Sequence, residues 1–202
     1  MPDGGRVVTG SAGGLRLAAP GAGTRPLSDK VKQALFSILE AERDDVWDHA
    51  MLDLFAGSGA AGIEALSRGA PRAVLVERDG RTVALIRQNL EHTGLAAQAR
   101  VVRGDVLTFL AAPANVALEG PFGSVVIDPP YEQIDDLRSS LARLADPEAG
   151  WLDASALVAA KHFWRDDPPE QSGVLVRVRQ RRFGETALSV YRHDPESSAG
   201  GC

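Results

Sequence analysis

The chain has 202 residues, of which 44% are hydrophobic and 24% are charged, and this size and composition suit one globular domain with a substantial core. Its one cysteine, Cys202, excludes an internal disulfide bond and a thiolate metal site, so we expect no metal. No apolar run approaches the ~18 residues of a membrane span and the first residues lack an apolar signal segment, so we expect a cytoplasmic protein.

The formal net charge of −5 is unevenly distributed along the chain. Residues 1–34 carry five basic and two acidic side chains, and residues 161–192 carry seven basic and four acidic ones. Residues 35–160 carry ten basic and nineteen acidic side chains. Because attraction to a phosphate backbone depends on the local patch and not on the net charge, the two basic segments indicate a nucleic-acid partner. The alternative is that each segment is an ordinary solvated face.

The first predicted elements are a β-hairpin and a helix. Two β-rich runs, near 6–9 and 15–18, flank the glycine-rich residues 10–14 and predict the hairpin. After a loose stretch at 18–23, Ser28 is a predicted N-cap because apolar residues follow it at helical spacing. Those apolar residues are Val31, Ala34, Leu35, Ile38 and Leu39.

From residue 50 onward, predicted strands and helices alternate. The strands are at 50–55, 73–77, 100–103, 124–127 and 156–161, and the helices at 60–68, 80–92, 106–111 and 133–144. This alternation predicts a doubly wound parallel sheet. The last two predicted strands, 174–183 and 186–192, have no helix between them, which predicts an antiparallel hairpin. The expected fold class is therefore α/β, with a Rossmann-like, mostly parallel seven-stranded sheet, a C-terminal antiparallel hairpin and a small N-terminal β-hairpin extension.

The segment Asp128-Pro129-Pro130-Tyr131 follows an apolar strand and is expected at the carboxyl edge of the sheet, where ligands bind. The Asp128 carboxylate can accept a hydrogen bond from an exocyclic amine. The prolines stiffen a turn whose carbonyls are further acceptors, and Tyr131 offers a ring face for a planar group. The segment indicates a pocket for an amine of adenine, cytosine, guanine or glutamine. The alternative is a strand that simply ends in a proline-stiffened turn.

A glycine-rich loop follows the first strand of the alternating region. Residues 57–62 fit the pattern G-x-G-x-x-G between a strand and a helix, and Glu77 lies twenty residues past Gly57. Such glycines allow a ligand to approach the backbone closely, and an acid at that spacing binds ribose hydroxyls. This pattern alone fits NAD as well as S-adenosylmethionine.

Three features favour S-adenosylmethionine over NAD. Asp53, near the strand end, would repel a pyrophosphate but attract a cationic methionine group. Asp105 follows the third strand and can accept from the adenine amine, although a helix N-cap is the alternative, as predicted for Asp79. The C-terminal hairpin occupies the place of the second mononucleotide-binding half that a dinucleotide fold needs.

Together these motifs resemble the class I S-adenosylmethionine-dependent methyltransferases that act on amino groups. With the segments 24–31, 64–69 and 183–186 and with Tyr191, the chain is similar from about residue 6 to residue 192 to the bacterial 16S rRNA (guanine-N2)-methyltransferase D (RsmD) family. One departure from the family is Leu27, at a position where that family usually has Thr or Ser. If a hydroxyl group has a role at this position in the family, another residue would have to supply the hydroxyl in this chain.

The resemblance implies transfer of a methyl group from S-adenosylmethionine to the exocyclic N2 amine of one guanine in helix 31 of 16S rRNA. The expected partner is 16S rRNA or the assembling 30S subunit, and the expected enzyme is a monomer. The implied catalytic residues are Asp128, Pro129, Pro130 and Tyr131. The implied cofactor-binding residues are Asp53, Phe55, Gly57, Ser58, Gly59, Glu77, Arg78, Asp105, Val106 and Asp128.

The expected domain organisation follows from the same resemblance and from the two basic segments. Residues 1–24 are expected to form the hairpin extension, residues 25–193 the methyltransferase domain and residues 194–202 a disordered tail. The hairpin extension together with Arg25 is the candidate RNA-binding surface, and residues 177–182 are a second candidate. The predicted RNA-binding residues are Arg6, Arg16, Arg25 and Lys30.

Three other functions remain open. A DNA adenine-N6 methyltransferase uses the same tetrapeptide but generally carries a target-recognition domain for which this chain leaves no room. A glutamine methyltransferase that acts on release factors has Asn at the first position and a helical N-terminal domain. A non-catalytic NAD-binding protein would account for the glycines but would leave the residues 128–131 without a role.

Overall fold

The computed structural model of the protein describes residues 3–19 and 28–194. The central sheet contains five strands that run parallel, namely β3 (Met51–Leu54), β4 (Ala73–Glu77), β5 (Ala99–Arg103), β6 (Phe122–Ile127) and β7 (Leu152–Phe163). It continues with three antiparallel strands, β8 (Gln171–Ser172), β9 (Leu175–Phe183) and β10 (Thr186–His193). The strand order is β5-β4-β3-β6-β7-β10-β9-β8. The predicted mostly parallel sheet with a C-terminal antiparallel hairpin is confirmed, and the two-residue β8 adds an eighth, unpredicted strand.

The helices are α1 (Asp29–Glu42), α2 (Ala60–Arg68), α3 (Gly80–Thr93), α4 (Val106–Leu110), α5 (Pro113–Glu119) and α6 (Ile134–Leu144). They cover both faces of the sheet. Alternate residues of β3 show this, since Met51 belongs to a core cluster with α1, α2 and α3, and Leu52 to one with α4 and α6. The short α5 was not predicted. Within the described part of the chain, no helix is long and apolar enough to cross a membrane.

The helix ends follow the predicted signals. The Ser28 hydroxyl accepts from the Val31 N–H at 3.4 Å, and the Asp79 carboxylate accepts from the Thr82 N–H at 2.8 Å. Each side chain satisfies an N–H group that has no partner within its helix. Gly69 and Gly94 follow the last residues of α2 and α3 with positive φ values of 121° and 72°, which a glycine adopts at little cost.

The N-terminal hairpin consists of β1 (Asp3–Arg6) and β2 (Arg16–Ala18), which pair antiparallel. We predicted its first strand at 6–9, but β1 ends at Arg6. The reason is that the next backbone donors turn toward α2: the N–H groups of Val8 and Thr9 donate to the Glu64 carboxylate at 2.7 and 3.1 Å. These residues are therefore held by a side chain and not by a partner strand.

Glu64 is fully buried and is the centre of a polar cluster beneath the hairpin. It accepts from Arg68 Nε at 2.9 Å and lies 3.8 Å from the Nζ atom of Lys32, which is also fully buried. Burial lowers the pKa of Lys32, and the charge of Glu64 opposes that shift. Nearby, the Ser67 hydroxyl donates to Thr9 O at 2.6 Å. The hairpin is thus fixed to α2 and shares its core, because Val7, Ala12 and Leu17 are buried with the residues of α1 and α2.

Candidate functional site

A cavity of about 920 Å³ opens at the carboxyl edge of β3, β4, β5, β6 and β7. This is the edge at which doubly wound sheets bind ligands. All predicted catalytic residues line it, and so do all predicted cofactor-binding residues except Gly59. The N-cap Ser28 and Val31 in the first turn of α1 also line it, and the tip of the β9–β10 hairpin contributes Phe183, Glu185 and Thr186. The fold therefore brings residues from most of the chain to one cavity.

The glycine loop between β3 and α2 has a backbone that most residues could not adopt. Gly57 and Gly59 have φ values of 55° and 78°, and a Cβ atom on Gly59 would lie 3.1 Å from the Ile86 side chain. Gly59 thus serves the tight turn and packs inward, which explains why it does not line the cavity. Phe55 precedes the loop with a φ of 62°, and it is the one residue other than glycine with a positive φ in the part of the chain that the structure describes. Such strain is typical of functional sites.

Glu77 is anchored at the end of β4 by two backbone donors. Its Oε2 accepts from the Gly57 N–H at 3.0 Å, and its Oε1 accepts from the Asp79 N–H at 2.9 Å. Each carboxylate oxygen keeps a second acceptor site. The anchored carboxylate can therefore accept from two neighbouring hydroxyls of a ligand while it holds the glycine loop in place.

Asp53 is the most deeply buried acid of the cavity, with 2% of its surface exposed. Its Oδ2 accepts from the Gly62 N–H at 2.8 Å, at the start of α2. Burial raises the pKa of Asp53 well above its usual value, this hydrogen bond partly opposes the shift, and the negative charges of Asp128 and Glu77 add to it. Three carboxyl groups around one cavity favour a ligand that carries positive charge.

We expect Asp53→Asn to raise the melting temperature of the ligand-free protein at neutral pH by roughly 2–4 °C, which corresponds to about 1 kcal/mol. Because the folded-state pKa of Asp53 is raised, stability falls as the pH rises from the unfolded-state pKa through the folded-state pKa. Asn removes this loss and still accepts from Gly62. Thermal melts between pH 4 and pH 8 should show the gain only at the higher pH.

The matched control for this measurement is Asp79→Asn. Asp79 is an exposed N-cap whose pKa is lowered by the hydrogen bonds from Thr82, so its contribution to stability is present at higher pH and is lost as the pH falls. Its substitution should therefore have the opposite pH dependence. An Asp53→Asn protein that melts at or below the wild-type temperature at neutral pH would contradict the assignment of a strained, buried carboxylate.

Asp105 is an N-cap and lines the cavity at the same time. Its Oδ1 accepts from the Thr108 N–H at 2.9 Å and from the Thr108 hydroxyl at 3.0 Å, at the start of α4. The N-cap alternative from the sequence is therefore realised. Because both contacts use one oxygen, the other can serve a ligand. Val106 follows it and offers an apolar surface to the cavity.

The segment from Asp128 to Tyr131 begins where β6 ends and leads through a 3₁₀ turn into α6. Pro129 is buried and Pro130 is exposed. The Tyr131 hydroxyl forms a hydrogen bond with the Thr186 hydroxyl at 2.5 Å, and its ring lies 6.0 Å from the Phe163 ring between centroids. The ring is thus held in place by the β9–β10 hairpin and by the end of β7, as a stacking surface requires.

Lys161 is a site residue that we did not predict. Its Nζ atom forms an ion pair with Asp128 Oδ1 and lies 5.2 Å from the centroid of the Tyr131 ring. The signal was present in the sequence, because Lys161 directly follows the apolar strand residues Ala156–Ala160. In the parallel pair of β6 and β7, Ile127 is the register partner of Ala160, so Lys161 comes opposite Asp128.

Burial and the ion pair act in opposite directions on the protonation of Asp128. Burial raises the pKa of Asp128, and the charge of Lys161 and its hydrogen bond oppose that shift. Lys161 therefore favours the carboxylate form of Asp128 in a buried position. Since Lys161 contacts Oδ1, the second oxygen of Asp128 is left to accept from a ligand.

The predicted RNA-binding residues that the structure describes are not part of the cavity wall. Arg6, Arg16 and Lys30 are exposed and do not line it, and Arg6 forms an ion pair with Asp29 at 3.2 Å. Arg25 and Leu27 lie outside the described residues, as do the predicted tail residues 195–202. Within residues 3–19 and 28–194, no three His, Cys, Asp or Glu side chains are grouped so that they could hold a metal ion.

The chain is similar to several known proteins over most of its length. The family model described as Conserved hypothetical protein 95 matches residues 5–192. The Bacillus subtilis protein YlbH is 36% identical over 188 residues, which are 93% of this chain and 98% of that protein. The Escherichia coli protein named Ribosomal RNA small subunit methyltransferase D is 32% identical over 195 residues, which are 96% of this chain and 92% of that protein. A solved structure of a hypothetical protein from Thermus thermophilus has a TM-score of 0.75 and 34% identity, and the match covers 92% of this chain and 97% of that one.

Proposed function

The chain belongs to the Conserved hypothetical protein 95 family, the family of the small-subunit rRNA methyltransferases D, and on this basis we propose that it transfers a methyl group from S-adenosylmethionine to the N2 amine of a guanine in helix 31 of 16S rRNA. The observation that carries the proposal is one shared cavity. It joins the acids suited to the cofactor, Asp53 and Glu77, to the amine acceptors of the segment that starts at Asp128. We further propose that the enzyme acts in the cytoplasm as a monomer.

The residues present fit the cofactor. The buried Asp53 favours its cationic methionine end, the anchored Glu77 its ribose hydroxyls, and Asp105 with Val106 its adenine. The glycine loop allows the close backbone approach that this requires. S-adenosylmethionine supplies a methyl group that is already activated by its sulfonium, so the protein mainly has to position the acceptor.

The acceptor amine is positioned by the segment after β6. An oxygen of Asp128 and the carbonyl of Pro129 both accept a hydrogen bond from the amine. These two hydrogen bonds reduce the delocalisation of the nitrogen lone pair into the guanine ring and direct the lone pair toward the methyl group. A guanine in folded RNA has to leave its stack to reach this position, at a cost of a few kcal/mol. Stacking on Tyr131 returns roughly 1–3 kcal/mol of that cost.

Asp128 has a second role in the reaction, which is to stabilise the positive charge that develops on the amine. Positive charge develops on the nitrogen as it receives the methyl group, and a carboxylate beside it stabilises that charge. The same carboxylate is placed to receive the proton that the nitrogen then loses. Both roles require the ionised form of Asp128, which the ion pair with Lys161 favours against the opposing effect of burial.

We expect Lys161→Met to lower kcat/KM for the RNA about ten-fold at pH 7 and to move the acidic limb of its pH profile to higher pH. The reason is that Lys161 opposes the burial-induced rise in the pKa of Asp128, so its removal keeps Asp128 protonated to a higher pH. Lys161→Arg retains the charge and is the matched control, with its acidic limb unmoved. A loss of kcat/KM of the same size at every pH would contradict this role of Lys161.

One labelling experiment tests the proposal against its alternatives. The protein is incubated with tritiated S-adenosylmethionine and, separately, with naked 16S rRNA, 30S subunits, plasmid DNA and a release factor, and the labelled position is mapped. We expect label on a guanine N2 in rRNA or in 30S subunits. Label on adenine in DNA or on a glutamine side chain would overturn the proposal. Titration with S-adenosylhomocysteine and NADH identifies the cofactor independently.

A further inference from the structure

The second basic segment, residues 161–192, is largely neutralised by ion pairs. Lys161 pairs with Asp128, and Arg177 pairs with Asp167 at 2.6 Å. Glu42, at the end of α1, holds both Arg179 at 2.6 Å and Arg192 at 2.8 Å. These four cations are therefore committed within the protein. The other arginines of the segment, Arg165, Arg181 and Arg182, form no ion pair with the carboxylates that the structure describes, so their charge is not offset by a neighbouring acid.

Two of those other arginines, Arg165 and Arg182, lie over the ring of Trp164. The Cζ atom of Arg182 is 3.6 Å from the ring centroid and that of Arg165 is 4.8 Å from it. Arg182 Nε also donates to Gly184 O at 2.7 Å, which leaves its terminal N–H groups for a ligand. Among the residues that the structure describes, neither guanidinium lies within ion-pair distance of a carboxylate. Because contact with an indole holds a guanidinium in a defined orientation, both cations are ordered before a ligand arrives.

The Arg165–Trp164–Arg182 stack is connected to the wall of the cavity by a backbone hydrogen bond and by a row of rings. The backbone N–H of Trp164 donates to the backbone carbonyl of Glu185 at 3.0 Å, and Glu185 and Thr186 line the cavity. A row of rings joins the two places, because the Phe163 ring is 6.0 Å from that of Tyr131 and 6.3 Å from that of Trp164. The ring of Phe163 therefore links the ring of Trp164 to that of Tyr131, on which the target base would rest.

We propose that the Arg165–Trp164–Arg182 stack binds backbone phosphates of the RNA strand beside the target nucleotide. This inference rests on the proposed function, which places a base on Tyr131. The cavity itself is acidic and the stack beside it is basic, so the electrostatics separate a cationic cofactor inside from a polyanionic strand outside. Ordered guanidinium groups match phosphate oxygens in geometry and lose little conformational freedom on binding.

The test uses Arg182→Gln and Arg165→Gln, with Arg87→Gln as the matched control because Arg87 is exposed on α3 and lies outside the cavity. Binding of a fluorescein-labelled single-stranded RNA is followed by anisotropy at several salt concentrations. We expect each stack variant to weaken binding about three- to ten-fold and to reduce the salt slope by about 0.7, the value for one phosphate contact on a single strand. The control should match wild type.

The aromatic member is tested with Trp164→Ala and Trp164→Phe. Loss of the ring should weaken RNA binding as much as loss of both arginines, and Phe should restore part of it because it keeps a ring face. Affinity for S-adenosylhomocysteine and the melting temperature should remain at wild-type values in all stack variants. Equal losses are expected on unrelated RNA sequences, because phosphate contacts do not read bases.

Failure of this inference and failure of the proposed function give different results. Stack variants that bind RNA with wild-type affinity and salt slope would overturn the inference even if wild-type protein labels rRNA. A loss confined to one RNA sequence, or a parallel loss of S-adenosylhomocysteine affinity, would also overturn it. Failure of the proposed function would appear instead in the labelling experiment with wild-type protein. The tritium label would then be found on DNA or on protein, and none would be found on rRNA.

Discussion

Asp128→Ala should lower the rate of methyl transfer about 10²–10⁴-fold and leave the affinity for S-adenosylhomocysteine nearly unchanged. The variant loses the oxygen that orients the amine and stabilises its developing charge. Cofactor affinity should persist because Asp53, Glu77 and Asp105 remain in place. Removal of Asp128 also removes one of the charges that raise the pKa of Asp53, so Asp53 becomes easier to ionise. Single-turnover methylation and isothermal titration measure the two quantities.

The control variants for Asp128 separate charge from shape. Asp128→Asn keeps the size of the side chain but lacks the negative charge, and should be nearly as inactive as Asp128→Ala. Because either change leaves Lys161 without its carboxylate partner, the double variant Asp128→Ala/Lys161→Met shows whether an unpaired lysine causes any loss of stability. A fall in S-adenosylhomocysteine affinity as large as the fall in rate would place Asp128 in the cofactor site instead.

Glu64→Gln should destabilise the protein by about 3–5 kcal/mol, the usual cost of breaking a buried ion pair from one side. Glu64 is fully buried, and it holds Lys32 and Arg68 as well as the backbone of Val8 and Thr9. A glutamine offers one acceptor oxygen, and its amide nitrogen would face a donor. The free energy of unfolding from urea titration measures the effect.

The control for Glu64→Gln is Asp135→Asn, which breaks the exposed pair of Asp135 with Arg138. The Asp135 side chain is 91% exposed, and such a pair contributes less than about 1 kcal/mol. The contrast tests whether the hairpin is part of the folded core. A loss of similar small size in both variants would mean that the hairpin is held by its apolar contacts alone, through Val7 and Leu17.

Much of the fold was predictable because its signals are local. Helix α2 begins and ends where the glycine loop and Gly69 predict, and β4 has its predicted bounds, because turn glycines and short apolar runs act over a few residues. The hairpin illustrates the limit. Its first strand was displaced by three residues because Glu64, more than fifty residues away in the chain, competes for its backbone donors.

The functional site, like the fold, was predictable from the sequence only in part. Its acids were recognisable from the sequence, since Asp53, Glu77, Asp105 and Asp128 each stand next to a strand end, and strand ends in a parallel sheet converge by topology. That Asp105 is also an N-cap was visible as an alternative. How each acid is anchored depends on backbone donors such as those of Gly57 and Gly62, whose directions a sequence does not specify.

Local sequence patterns were enough to predict the fold class, the carboxyl edge as the place of the site, and the residue types that favour S-adenosylmethionine and an amine. The pairing of the basic side chains, in contrast, became visible only in the folded protein. Lys161 is committed to Asp128, whereas Arg165 and Arg182 are ordered on Trp164. The physical reason is that charge pairing depends on distances of a few ångströms between side chains, and those distances are set by strand register and packing rather than by order along the chain.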